Sequence, residues 1–148
     1  MDALTIDTDI AGDAAQSRLI QYGVIGCGMM GQEHLRNIAL LPRARVAAIY
    51  EPDTGMAEAA RAIAPDARMC GSIAELLSDD RLDCLLVVSP NHVHVDQLEE
   101  IARTRPLPVL MEKPLYTAPD QEARLEVLRS GYPAPVWVAM EYRYMPPI

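Results

Sequence analysis

The chain has 148 residues, half of them apolar and 23% charged, a composition that suits one globular domain with a hydrophobic core. Its formal net charge of −8 gives no electrostatic reason to expect nucleic acid or an anionic membrane as a partner. No apolar run approaches the ~20 residues that a membrane-spanning helix needs. Three cysteines without a C-x-x-C pair suggest neither a disulfide framework nor a zinc site, so we expect a reducing compartment, the cytoplasm.

The first 17 residues form an acidic leader that contains no basic residue, the opposite of a signal or transit peptide. This leader has no hydrophobic periodicity. We therefore expect a disordered segment over 1–17 and a single domain over 18–148.

Beyond the leader, short apolar runs alternate with amphipathic stretches. The apolar runs predict β-strands over Leu19 to Ile25, Arg45 to Tyr50, Arg68 to Cys70, Cys84 to Val88, Val109 to Met111 and Val136 to Tyr142. The stretches between them predict helices over Met29 to Leu41, Thr54 to Ala64, Ser72 to Leu77, Asp96 to Thr104 and Asp120 to Ser130. This alternation predicts the α/β class with a doubly wound parallel sheet.

The first predicted strand runs into a G-x-G-x-x-G sequence that opens the first helix, Gly26-Cys27-Gly28-Met29-Met30-Gly31. In such a motif the first glycine allows a tight turn and the second lets the backbone approach a diphosphate. The third glycine lets helix and strand pack closely, and the helix N-terminus supplies N–H donors. Because glycines also cluster in ordinary turns, the motif by itself leaves a purely structural turn as an alternative.

An acidic residue, Glu51, directly follows the second predicted strand, about 20 positions after the last glycine of the motif. A carboxylate there accepts hydrogen bonds from both hydroxyls of an adenosine ribose and repels a 2′-phosphate. The combination predicts a dinucleotide site that prefers NAD to NADP. The alternative is that Glu51 is an ordinary solvated loop charge, and the neighbouring Asp53 fits the N-cap of the second helix.

Two further loops follow strands four and five, at the strand ends where open α/β sheets bind ligands. They are Ser89-Pro90-Asn91-His92-Val93-His94 and Met111-Glu112-Lys113-Pro114-Leu115. Two histidines without a third ligand nearby do not indicate a metal, and we expect no metal site. A stiff turn that leads into a helix is an alternative explanation of the first loop.

Lys113 is the only lysine of the chain, and all the other Lys/Arg positions are arginines. An amine at a strand end can donate to a substrate hydroxyl or carbonyl oxygen and can act in acid–base catalysis. An arginine cannot do this because its proton is effectively permanent. The alternatives are that composition alone removed lysine elsewhere, and that Glu112 and Lys113 form an exposed charge pair beside a turn proline.

These motifs, together with His34, resemble in order and spacing the N-terminal domain of the glucose–fructose oxidoreductase and inositol dehydrogenase (Gfo/Idh/MocA) family. The resemblance covers Arg18 to Ile148, and Glu112-Lys113-Pro114 is its most specific element. It implies a Rossmann-type domain of an NAD(P)-dependent oxidoreductase that acts on sugars, polyols or cyclitols. It also implies a second, C-terminal α/β domain, absent from this chain, which supplies a histidine and much of a homo-oligomer interface.

The resemblance also implies roles for individual residues. Lys113 would be the catalytic or substrate-orienting lysine, Glu112 would lie near the nicotinamide, and Arg143 would reach the cofactor. The other implied cofactor contacts are Gly26, Cys27, Gly28, Met29, Met30, Gly31, Glu51, Ser89, Pro90, Asn91 and His94. Glu51 departs from the family's commoner aspartate, so NAD is preferred without NADP being excluded. The alternative function is a non-catalytic nucleotide-binding module or redox-sensing remnant.

Overall fold

The computed structural model describes residues 18–140, so the predicted leader and Arg143 lie outside the described residues. Within 18–140 there are six strands, β1 (Ile20–Ile25), β2 (Ala44–Tyr50), β3 (Arg68–Cys70), β4 (Cys84–Val87), β5 (Val109–Met111) and β6 (Val136–Val138). The helices are α1 (Met29–Ala39), α2 (Thr54–Ile63), α3 (Ile73–Leu77), α4 (His94–Thr104) and α5 (Pro119–Gly131), with a 3₁₀ turn over Asn91–Val93.

All six strands are parallel and form one sheet in the order β3-β2-β1-β4-β5-β6, which confirms the predicted Rossmann-type doubly wound α/β class. The chain builds outward from β1 to β3 and then returns to the other side of β1 at β4. The carboxyl ends of β1 and β4 therefore lie side by side where the strand order reverses, the place where such sheets bind ligands.

Both faces of the sheet are covered, which explains why the central strands are continuous apolar runs. Successive residues of a strand point to opposite faces. Ile25 accordingly packs against α3 and α4 while Val24 packs beneath α1 and α2, and both are fully buried. None of the described helices is long and apolar enough to cross a membrane.

Two helix starts are capped by side chains, and the sequence analysis predicts the first of these caps. The Asp53 carboxylate accepts the Met56 N–H at 2.8 Å and begins α2. The Ser72 hydroxyl accepts the Glu75 N–H at 3.0 Å and begins α3. Each side chain satisfies an N–H group that the helix itself leaves without a partner.

Some element boundaries differ from the sequence prediction. Helix α4 begins at His94 rather than at Asp96, because the 3₁₀ turn before it already directs the backbone into the helix. Strand β6 ends at Val138, whereas the predicted strand runs to Tyr142. The Ala139 N–H still donates to the Met111 carbonyl at 2.8 Å, but residues 139 and 140 are not strand, and residues 141–142 lie outside the described range.

The first and third glycines of the motif hold the ends of β1, α1 and β4 together. Gly26 has a φ of 90°, and a Cβ built on it would lie 2.6 Å from the main-chain nitrogen of Ser89. A Cβ on Gly31 would lie 2.6 Å from the Gly26 carbonyl oxygen. These glycines are therefore needed because neighbouring main chains approach too closely for a side chain.

We expect Gly26→Ala to lower the free energy of unfolding by about 3 kcal/mol, because it adds both backbone strain and a collision with main-chain atoms. Gly131→Ala is the matched control, since a Cβ there meets no atom within 4 Å. Its effect should stay below about 1 kcal/mol. Urea unfolding of both variants measures the difference, and an unchanged stability of Gly26→Ala would contradict the packing argument.

Candidate functional site

A cleft of about 650 Å³ lies over the carboxyl ends of β1, β2 and β4. Residues predicted as cofactor contacts form much of its wall: Gly26, Gly28, Met29, Met30, Glu51, Ser89 and Pro90. Other lining residues were not predicted as contacts: Ile25, Tyr50, Pro52, Asp53, Met56, Val88, Val93 and Gln97. The structure therefore brings the glycine loop, the acidic strand end and the loop after β4 to one place.

Gly28, the middle glycine of the motif, has open space beside it. A Cβ built there would meet only the Met56 sulfur, at 4.0 Å, so packing within the described chain does not require a glycine at this position. Gly28 is the N-cap of α1, no side chain caps this helix end, and its first turn holds no acidic residue. The first N–H groups of α1 are thus left for an anion that approaches the backbone closely.

Glu51 anchors the glycine loop to the end of β2. Its Oε2 accepts the Cys27 N–H at 2.6 Å, and its Oε1 accepts the Asp53 N–H at 2.9 Å. Each carboxylate oxygen has a second acceptor position, so a ribose hydroxyl can still bind. Within residues 18–140, the charged residues that line the cleft are Glu51 and Asp53, and neither offers a partner for an added phosphate.

The Cys27 side chain faces the protein interior and not the cleft. It is fully buried, and burial, followed by the nearby charge of Glu51, raises the pKa of its thiol to about 12. A thiol held in its protonated form is a poor nucleophile. Any contact of Cys27 with a cofactor would therefore use its main chain. Gly31 has no side chain, so it too could contact a cofactor only through its main chain.

Gln97 is a cleft residue that sequence analysis missed. It projects from α4 into the cleft, where its amide oxygen accepts a hydrogen bond from the Ser89 hydroxyl. A single glutamine in an amphipathic helix carries no motif. Only the register of α4, which places His94 inside the fold, brings Gln97 to the cleft one turn later.

The ring of His94, a predicted cofactor contact, has no exposed surface. Its Nδ1 lies 2.9 Å from the Pro114 carbonyl oxygen and its Nε2 lies 3.0 Å from the Ser89 carbonyl oxygen. The imidazole therefore joins the loop after β4 to the loop after β5. A neutral ring has one N–H, so the tautomer decides which carbonyl accepts it.

The loop after β5 is fixed by Glu112, which is buried rather than half of an exposed charge pair. The Glu112 N–H continues the sheet by donating to the Val87 carbonyl at 2.9 Å. Its Oε1 lies 2.8 Å from the His34 Nε2, and its Oε2 accepts the Lys113 N–H at 3.2 Å. Lys113 itself is exposed, at the same edge of the sheet as the cleft.

A second groove of about 670 Å³ runs between α1 and the strands β5 and β6. Its lining includes Met30, His34, Glu112 and the half-exposed Trp137. Met30 also lines the first cleft, so its side chain lies where the two spaces adjoin. Asn91 lines neither space, and no group of three possible ligands within residues 18–140 could hold a metal ion.

Comparison with known proteins adds an independent observation. The model of the GFO_IDH_MocA family, described as an oxidoreductase family with an NAD-binding Rossmann fold, matches residues 20–139. The chain belongs to this family.

Similar proteins include enzymes that act on inositols. Inositol 2-dehydrogenase 2 of Saccharopolyspora erythraea is 38% identical over an alignment of 119 residues, and the match covers 77% of this chain and 34% of that protein. Inositol 2-dehydrogenase of Leifsonia xyli is 39% identical over 110 residues, 74% of this chain and 31% of that protein. The chain thus spans about a third of the length of these relatives.

Solved structures of this architecture include myo-inositol dehydrogenase from Lactobacillus casei in complex with NAD(H) and myo-inositol. It is 28% identical, has a TM-score of 0.76, and the match covers 86% of this chain and 38% of that chain. The WlbA dehydrogenase of Bordetella pertussis, in complex with NADH and UDP-GlcNAcA, is 27% identical with a TM-score of 0.76. That match covers 85% of this chain and 36% of the other.

The raised thiol pKa of Cys27 predicts resistance to alkylation. An unfolded thiol has a pKa of about 8.5, so at pH 8 iodoacetamide should label Cys27 in urea but not in the native protein. Since ionisation opposes folding, the contribution of Cys27 to stability is full below about pH 8.5 and is lost as the pH rises toward 12. Peptide mapping by mass spectrometry checks the labelling, and rapid native labelling of Cys27 would contradict the assignment.

Proposed function

We propose that this domain binds NAD. In a full-length enzyme it would support hydride transfer between the nicotinamide and a carbinol carbon of a sugar, polyol or cyclitol. The observation that carries the proposal is the open space at Gly28, beside an uncapped helix N-terminus and across a cleft from Glu51. The inositol dehydrogenases among the relatives, one of them crystallised with NAD(H) and myo-inositol, support the cofactor and the substrate class.

The described residues suit the two halves of such a cofactor. The N–H groups at the start of α1 fit a diphosphate, and the Glu51 carboxylate fits ribose hydroxyls. Met56, Pro90 and Val93 offer apolar surface for an adenine ring. The bound nicotinamide supplies the redox chemistry, while the protein supplies position and charge.

Lys113 is the residue that we assign to the substrate. Its ammonium group would hold the reacting oxygen and help to move its proton, and Glu112 would lie beside the nicotinamide. Because the chain spans about a third of its relatives' length, we expect the remaining groups of the catalytic centre, including the histidine that the family resemblance implies, in a second domain. The homo-oligomer expected through that domain stays a prediction.

We also propose a cytoplasmic location. The three cysteines are free, Cys27 and Cys70 are buried, and all three have thiol pKa values raised chiefly by burial. Protonated thiols that do not pair suit a reducing compartment.

The charges of the cleft predict discrimination between cofactors. We expect NADH to bind at least about tenfold more tightly than NADPH, a difference of about 1.4 kcal/mol, because Glu51 repels an added 2′-phosphate and no basic side chain among residues 18–140 lines the cleft. In Glu51→Gln, the dissociation constants for NADH and NADPH should differ by no more than about threefold. Glu58→Gln is the matched control, since Glu58 is exposed on α2 and does not line the cleft, and it should leave the preference for NADH unchanged. Fluorescence titration measures both affinities, and equal binding of the two cofactors by the wild type would contradict the proposal.

The role of Lys113 predicts loss of turnover without loss of cofactor binding. In the full-length protein, assayed with NAD and a panel of inositols and sugars, Lys113→Ala and Lys113→Arg should each lower kcat/KM at least about 100-fold. The Kd for NADH should change less than about threefold. Turnover that survives both changes would end the catalytic assignment, whereas a wild type that binds NADH and oxidises no polyol would favour the non-catalytic module.

A further inference from the structure

The contact between His34 and Glu112 joins two parts of the chain that sequence separates by 78 residues. His34 lies on α1, the helix whose N-terminus faces the cleft, and Glu112 directly follows β5. Their side chains are only 23% and 10% exposed, so little water competes for the 2.8 Å contact. A partly buried pair of this kind orients its partners more firmly than an exposed one.

Glu112 also contacts the backbone of the next residue, Lys113. Its main chain is already fixed, because its N–H donates to the Val87 carbonyl within the sheet. Its carboxylate receives His34 on one oxygen and the Lys113 N–H on the other. His34 and the backbone of Lys113 are therefore held by the same planar group.

Helix α1, which carries His34, also borders the cleft proposed for the cofactor. Met30 lies one turn before His34 on the same face of α1 and lines both the cleft and the groove that contains His34. Glu33, a further charged residue of that groove, is half exposed and pairs with Arg36 at 3.5 Å. Among the groove residues described, His34 is the one within hydrogen-bonding distance of the Glu112 carboxylate.

We propose that His34 is a positioning residue for Lys113. Through Glu112, His34 fixes the backbone of the loop after β5, which carries Lys113, relative to α1, the helix whose N-terminus would bind the cofactor diphosphate. The expected effect on catalysis rests on the proposed function. The claim that His34 fixes the backbone of Lys113 does not, because it can be tested without turnover. A substitution of His34 should therefore loosen the loop after β5 and lower kcat. It should leave cofactor affinity nearly unchanged, because that affinity depends on main-chain N–H groups that the substitution does not move.

The test compares His34→Leu, which removes the ring N–H, with His34→Gln, whose amide nitrogen reaches the former Nε2 position. Asn37→Leu is the matched control, because Asn37 lines the same groove one turn later and makes no described contact with Glu112. The first readout is main-chain hydrogen exchange, measured by NMR in the cofactor-free protein. The exchange of the Lys113 amide should accelerate about tenfold in His34→Leu and stay near the wild-type rate in the other two variants.

The Glu112 amide is an internal reference, because its bond to the Val87 carbonyl belongs to the sheet. It should not accelerate unless the variant unfolds more globally. The second readout is steady-state kinetics of the full-length enzyme. His34→Leu should lower kcat about 10- to 100-fold with the KM for NAD within about threefold, and His34→Gln should stay within about threefold in both.

An unchanged Lys113 amide in folded His34→Leu overturns the proposal. So does an equal loss of kcat in His34→Gln or in Asn37→Leu. If His34→Leu does not fold, His34→Asn takes its place, since its shorter amide does not reach Glu112 and should give the same loss. A wild type that oxidises no polyol overturns the proposed function, while the exchange rates still decide whether His34 positions Lys113.

Discussion

The site depends on the approach of two main chains, Gly26 in the loop after β1 and Ser89 after β4. A space too small for a Cβ separates them, so the ends of the two central strands meet without intervening side chains. Gly31 then lets the first turn of α1 pack directly against the Gly26 carbonyl. The part of the cleft wall that the glycine loop forms is thus main chain, and its shape follows from packing within the domain itself.

Several polar side chains near the cleft contact the protein's own backbone. Glu51 holds the glycine loop, His94 joins the loops after β4 and β5, and Glu112 holds the Lys113 amide. Residues that sequence motifs assign to ligand contacts therefore also fix the geometry of the loops. Such supporting contacts reduce the conformational freedom that a ligand must remove on binding.

The fold was largely predictable because it follows from local patterns. Continuous apolar runs marked strands buried on both faces, and Asp53 and Ser72 marked helix starts that the structure confirms. The features that no local pattern reveals depend on how the elements pack in three dimensions. Nothing local distinguishes Gln97 from an exposed glutamine, and the burial of His94 follows from where the 3₁₀ turn starts α4. The contact of His34 with Glu112 likewise appears only once the sheet brings β5 beside β4, under α1.

The half-exposed Trp137 of β6 has a practical consequence, since it is the single tryptophan of the chain. Its indole lines the groove that also contains His34 and Glu112, which makes the intrinsic emission of the protein a local optical reporter. A change in polarity beside α1 would shift the emission wavelength. Reduced nicotinamide absorbs in the range where tryptophan emits, so quenching by energy transfer would follow nucleotide occupancy without any added label.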